Sequence, residues 1–194
     1  MDLLIVESGA KSKTIQKYLG KEWMVVACGG HVQDLPRSKK TKDGKKAMWP
    51  FTEDKLPSPP WEWTERGEGV ITKLIKRSKD KNVDKVYIAT DPDREGEFIA
   101  WRLEEIFTKE GYSNIQRVTF NEITKTAVQA AIAAGGSVNT ELVSAAKVRR
   151  FMDRLVGFRS SKFSRSWSLP SMGRVQTPTL GFVVDRELER EAFV

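Results

Sequence analysis

The chain has 194 residues, 39% hydrophobic and 30% charged, enough for one well-buried core or for one domain and part of a second. Its longest apolar runs, such as Leu3 to Val6, are far too short for a bilayer-spanning helix, its acidic start is unlike a signal peptide, and one cysteine with one histidine excludes a disulfide framework or a zinc site, so the cytosol is the default compartment. The net charge is +7, and an excess of that sign fits a polyanionic partner.

Leu3 to Val6 is a continuous apolar run, as expected of a strand buried on both faces. Ser8-Gly9 reads as a turn, Ala10 to Leu19 as a helix with Gly20 as its cap, and Trp23 to Cys28 as a second strand. From Leu35 the character changes. Six basic residues (Arg37, Lys39, Lys40, Lys42, Lys45, Lys46) stand against Asp43, and prolines and tryptophans follow as far as Thr64, which predicts an irregular excursion at about 35–66. Regular structure resumes with a helix at 68–79, a strand at 85–89, an amphipathic helix at 94–107 and a strand at 116–120. Thr124 caps an alanine-rich helix that ends at Gly135-Gly136. Strands interleaved with helices predict an α/β domain on a mainly parallel sheet over residues 1–137. The remainder, 138–194, reads as mostly α-helical: a long basic helix at 141–158, a Ser/Arg/Trp loop at 159–172, and a last helix opening near Ser171 or at Thr177-Pro178. Between Lys147 and Arg174, eight basic residues face the single acid Asp153, and a solvated charged helix and a phosphate-binding one fit that pattern equally.

The sharpest feature is Asp91-Pro92-Asp93-Arg94-Glu95-Gly96-Glu97, directly after a strand and opening a helix. Asp91, Asp93 and Glu95 are spaced by two and can converge around a strand end, where carboxylates repel unless solvated, protonated or bound to a cation. Hard oxygen donors select Mg²⁺ or Ca²⁺, and Mg²⁺ keeps positions open for phosphate oxygens. A solvated turn with helix-capping acids is the ordinary alternative. Glu7, at the end of the first strand, weighs against it, because strand C-termini of a doubly wound sheet share one edge. Lys11 lies one helical turn further on.

Val6 to Gly20, Gly30 to Pro36 (Gly-His-Val-Gln-Asp-Leu-Pro) and Asp91 to Glu97 together resemble the Toprim domain of type IA DNA topoisomerases. Phe-Asn-Glu-Ile-Thr (120–124), Arg-Arg-Phe-Met-Asp-Arg-Leu-Val-Gly (149–157) and Gly-Arg-Val-Gln-Thr-Pro-Thr-Leu (173–180) continue the likeness in family order. The opening motif is closer to topoisomerase I and Gln-Thr-Pro-Thr-Leu closer to topoisomerase III, so the subfamily stays open.

The resemblance implies a Rossmann-like Toprim fold with a mainly parallel four-stranded sheet, followed by the first part of a helical strand-binding domain. It implies an enzyme that cuts and reseals one DNA strand through a phosphotyrosine. Glu7 would act beside the scissile phosphate as acid/base or metal-positioning group, and Lys11 would contact that phosphate. Asp91, Asp93 and Glu95 would hold Mg²⁺ with Arg94 among them, and Arg174 would stabilise charge. Arg149 and Asp153, i and i+4 on one helix, suit an intrahelical pair, but Arg149, Arg150 and Arg154 around one acid favour a single-strand groove, with Gln176 joining it. His31, in the Gly-His motif, is grouped with the DNA contacts, although the residues alone suit a structurally satisfied histidine or a catalytic one equally. Partners implied are single-stranded or underwound duplex DNA and the remaining topoisomerase domains, in the cytoplasm at the nucleoid. Tyr18, Tyr87 and Tyr112 lack the arginine-flanked setting of the family nucleophile, so this chain is expected to bind metal and single strands without cutting. A Toprim primase or nuclease is the rival enzyme class and leaves the motifs at 149–157 and 173–180 without a role. A non-catalytic DNA-binding module is the third reading.

Overall fold

The computed structural model describes residues 1–36 and 61–193, together with the backbone of the short strands at 39–40 and 46–47. Arg37, Lys42, Lys45 and the Pro/Trp-rich segment 48–60, all singled out in the sequence, lie outside the described residues. The chain divides into two compact units, Met1–Arg37 with Ser58–Lys147 and Ser38–Pro57 with Val148–Val194.

The first unit is built on four parallel strands in the order β2-β1-β7-β8: β1 (Asp2–Val6), β2 (Trp23–Ala27), β7 (Val86–Ala89) and β8 (Ile115–Arg117). Side chains along a strand alternate between faces, and both faces of β1 and β7 are apolar. Leu3, Ile5, Val86 and Ile88 join one core cluster with Ile71 and Leu74 of α2 (Gly67–Asp80) and Ile99, Leu103 and Phe107 of α3 (Arg94–Lys109). Leu4, Val6, Tyr87 and Ala89 join another with Ile15 of α1 (Gly9–Leu19) and Val128 of α4 (Lys125–Ala134). The product is an α/β/α sandwich. Leu3, Leu4, Ile5 and Val6 are fully buried, each contributing about 1.5–3 kcal/mol of transfer free energy.

The helix signals at Gly20 and Thr124 act as the sequence predicts, whereas Ser8, expected in a turn with Gly9, is a helix cap. Ser8 caps α1 by accepting from the Lys11 amide, Thr124 caps α4 by accepting from Ala127, and Gly20 ends α1 at φ +77°, where a side chain would be strained. Gln16 ties the α1–β2 turn: its amide nitrogen donates to the carbonyls of Gly20 (2.6 Å) and Trp23 (3.0 Å), and its oxygen accepts from the Val25 amide (3.0 Å).

Four expectations are corrected. Strand β8 ends at Arg117 rather than 120; Val118 makes the last rung, to Ile88, and Arg117 exchanges both backbone bonds with Gly136. Glu62–Trp63, inside the expected irregular excursion, is a short strand (β6) paired antiparallel with Gln33–Asp34 (β3). Lys39–Lys40 (β4) and Lys46–Ala47 (β5) form a second such pair. The long basic helix α5 (Thr140–Ser166) runs eight residues beyond 158, into the expected loop. Two of its serines are packing residues: the buried Ser161 and Ser164 hydroxyls bond to the carbonyls of Met172 and Leu169. The last helix, α6, spans Gln176–Ala192, so it opens at neither expected point, and Pro178 falls in its first turn, where no amide is required.

Replacing Gln16 by Ala removes three hydrogen bonds and is expected to cost about 1–3 kcal/mol in urea unfolding. Gln16→Glu keeps the acceptor for Val25 but sets a carboxylate against two carbonyls, so at pH 7 it should be no more stable than the alanine variant.

Candidate metal centre and nucleic-acid groove

Strand order positions the first site. From β1 the chain passes through α1 to β2 on one side, whereas β7 pairs on the other side of β1. The order therefore reverses between β1 and β7, and ligands bind outside the strand ends at such a switch point. The register aligns Val6 with Ala89, so Glu7 and the Thr90-Asp91 segment leave the sheet side by side.

Four of the anticipated groups meet there. The Lys11 ammonium, in the first turn of α1, pairs with Asp91. Burial, then the charge of Asp91, pushes the Glu7 carboxyl above the usual carboxylate range, with Lys11 opposing and Asp93 adding to the rise. Asp93 is the N-cap of α3 and accepts the Gly96 amide at 2.7 Å, which uses one of its oxygens. Glu95, in the first turn of α3, lies 3.3 Å from His31 Nε2, whose ring stands edge-on to Phe98. Arg94 is exposed at the start of the same helix. The capping role that the sequence offered for these acids is thus observed at Asp93, and the cap leaves its second carboxylate oxygen uncommitted to Gly96.

Among the described residues, no three His, Cys, Asp or Glu side chains are grouped closely enough to hold a metal ion as they stand. The donor chemistry nonetheless fits Mg²⁺. The oxygens are hard, Mg²⁺ takes only one or two protein carboxylates, and Glu7 is destabilised as an anion by burial and then by Asp91 and Asp93, a cost that a divalent cation would offset. Lys11 already supplies a positive charge at Asp91.

Beneath the loop lies machinery the sequence reading missed. Glu97 and Arg117 are 4% and 5% exposed and paired at 2.8 Å. Gly96 is packed so closely that a Cβ would stand 2.0 Å from the Asp91 carbonyl oxygen, and the buried Thr90 hydroxyl donates to the Gly96 carbonyl at 2.7 Å. The signal was present: a charged residue in a short buried strand needs a partner of opposite sign.

The second unit holds a groove of about 940 Å³ along α5, the 171–175 loop and α6. Arg154, Arg165 and Arg174 line it with Phe158, Met172, Leu180 and Val183, cations beside apolar surface. Asp153 sits at its wall. Arg174 grips it through Nε and Nη2 at 2.5 and 3.2 Å, and Arg149 Nε is 3.6 Å away. Arg174, foremost, and Arg149 hold the Asp153 carboxyl below its ordinary range, and Asp153 raises the Arg174 guanidinium in turn. Gln176 donates to the Ser171 carbonyl at 2.6 Å and so fixes the loop. Arg150 lies half-buried on α5.

The Toprim domain pattern matches residues 2–123 and that of a family described as DNA topoisomerase matches 137–194. A plasmid-borne protein named DNA topoisomerase I from Xylella fastidiosa (strain 9a5c) is 44% identical over 195 residues, covering all of this chain and 27% of that protein. The crystal structure of full-length topoisomerase I from Thermotoga maritima superposes with a TM-score of 0.72 at 36% identity, over all of this chain and 31% of that one. The chain thus spans under a third of the length of these relatives.

Because the Asp153 pKa is depressed in the folded chain, its stabilisation is present above the unfolded value of roughly 3.9 and is lost as pH falls through the lower folded one. Asp153→Asn should cost no more than about 1 kcal/mol at pH 7, as the groups are substantially exposed, and the difference in urea-unfolding free energy should vanish in acid. By NMR, Arg174→Ala should return the Asp153 titration toward its ordinary value.

Proposed function

The chain belongs to the type IA DNA topoisomerases, and from that premise we propose that it carries the metal-binding and strand-gripping parts of an enzyme that cleaves and religates one DNA strand through a phosphotyrosine intermediate. The observation that carries the reading is Glu7 and Asp91 side by side at the ends of adjacent parallel strands, with Lys11 on Asp91.

In this proposal Asp91, Asp93 and Glu95 hold Mg²⁺ with Glu7 beside them, in a Toprim domain of residues 1–137. When bound, the ion supplies positive charge against phosphate oxygens. The protein's own groups do the rest. Lys11 can transfer its charge from Asp91 to a phosphate, and Glu7, whose carboxyl keeps its proton to higher pH than an ordinary glutamate, can exchange a proton at the reacting oxygen. Arg94 and His31 border the same edge and contact the strand. The remaining part, 138–194, grips single-stranded or underwound DNA: Arg149, Arg150 and Arg174 serve phosphates, while Asp153 and Gln176 hold Arg174 and its loop and face the bases. Arg174 has the further role of stabilising charge that develops at the phosphate.

The nucleophile lies outside these 194 residues. Tyr18 donates its hydroxyl to the Ile123 carbonyl at 3.3 Å, Tyr87 is buried against Trp23, and Tyr112 packs on Phe107. The remaining topoisomerase domains are the natural cover for α6, where Leu180, Phe182, Val183 and Leu188 are exposed. No described helix is long and apolar enough to cross a membrane. We place the protein in the cytoplasm, at the nucleoid.

Titrating MgCl₂ calorimetrically into the chain should give binding that Asp91→Asn/Asp93→Asn abolishes; equal affinity in the two proteins would remove the metal assignment. Neutralising Arg149 and Arg150 should weaken binding of an oligonucleotide single strand and flatten its salt dependence by about 0.7–1 unit of log–log slope per lost phosphate contact. An unchanged slope would mean that α5 does not meet the backbone.

A further inference from the structure

Arg117 spends all its donors on one small region. Its Nε and Nη2 reach Glu97 Oε1 at 2.8 Å each, Nη1 donates to the carbonyls of Ile88 (3.0 Å) and Val118 (2.6 Å), and Nη2 also donates to the carbonyl of Asp91 (3.0 Å). Those three carbonyls belong to the end of β7, the end of β8 and the acidic loop. The other Glu97 oxygen accepts the backbone amide of Asn139 at 3.0 Å, and the Asn139 side chain caps α5 through the amides of Glu141 and Leu142, each at 3.0 Å. A buried ion pair gives little net stability, because desolvating two charges offsets their attraction. What this one does supply is direction: a planar guanidinium accepts one arrangement of its partners, and here the partners are the main chain that carries Asp91.

We propose that Arg117 and Glu97 are positioning residues: they fix the Asp91 main chain so that its carboxylate is presented to a divalent cation, and through Asn139 they tie that loop to the first turn of α5. The inference rests on the metal reading above and adds two residues that touch neither cation nor DNA. Three features of the loop act in concert. Thr90 holds the Gly96 carbonyl, Gly96 leaves no room for a Cβ against Asp91, and Arg117 draws the Asp91 carbonyl inward, which leaves the carboxylate facing outward toward Lys11. Removal of the fork leaves the capping bond of Asp93 intact but releases its neighbour two residues earlier.

The test compares the 194-residue chain with Arg117→Lys, which keeps the charge but not the fork, and Glu97→Gln, which keeps the shape but cannot accept on both sides. Each is melted thermally, titrated with MgCl₂ well below its transition, and followed by amide hydrogen exchange. The variants should fold yet bind Mg²⁺ about tenfold or more weakly, as supporting residues behind metal ligands usually do. Folded variants that bind Mg²⁺ within about twofold of wild type would overturn the proposal, since a role confined to stability moves the melt and not the affinity. Should the wild type itself give no heat with MgCl₂, the metal reading is what fails. Exchange in the metal-free variants then decides: acceleration confined to residues 90–97 and 137–142 sustains the positioning role, and an unchanged or uniformly faster pattern ends it. If neither variant folds, the wild type still answers, because Mg²⁺ should slow exchange of the Asn139 amide, and no slowing would overturn the link.

Discussion

The parallel pairing of β1 with β7 is the constraint from which the candidate chemistry follows. Both strands are apolar on both faces, so each is fixed in depth by two core clusters, and a slip of one residue would turn Leu3 and Ile5 toward the wrong set of helices. With Val6 opposite Ala89, the next residues out of the sheet are Glu7 and Thr90-Asp91. Neither loop has to find the other. The core fixes the register, and the register delivers the carboxylates to one edge, where the reversal of strand order leaves a crevice.

That edge is electrostatically uncomfortable. The carboxyl of Glu7 is pushed upward by burial and by two acidic neighbours, so ionising it costs folding free energy as pH rises. Lys11 offsets part of the cost, and its position is local: it stands in the first turn of α1, paired with Asp91 at the end of the adjacent strand. Crowded acids held by a rigid frame are a poor device for stability and a good one for receiving a cation. The cost is borne by the core beneath, where four successive fully buried residues of β1 anchor the sheet.

Much of this was legible in the sequence because it depends on local signals. The apolar run of β1, the cap at Thr124 and the helix stop at Gly20 each act within a few positions, so helix and strand types follow from spacing alone. The acids at Glu7, Asp91, Asp93 and Glu95 could be grouped without coordinates, since a doubly wound sheet brings strand ends together. The misses are long-range. Arg117 and Glu97 are 20 residues apart, and a charged residue in a short strand calls for a partner without saying which acid supplies it. The serines of α5 misled for the opposite reason. In composition Ser161 and Ser164 read as loop, yet they are buried because carbonyls of the following segment, at Met172 and Leu169, accept their hydroxyls. A side-chain-to-backbone bond of that kind reverses the ordinary preference of serine for turns.

The helical unit poses a different problem. No residue of α6 is buried, and its own support is two i,i+3 pairs, Arg186 with Glu189 and Glu187 with Arg190. Such exposed pairs contribute a few tenths of a kcal/mol each, and an isolated helix of this length is marginal in water. Yet the groove beside it is well specified at one end: Ser161 holds the Met172 backbone on both sides, Gln176 holds Ser171, and Arg174 is held by Asp153. The polar ties thus gather at the Gln176 end of α6, and further along the helix Val183, Val184 and Leu188 stay largely exposed. A segment with a firm root and an uncovered apolar face gains stability from whatever packs on it.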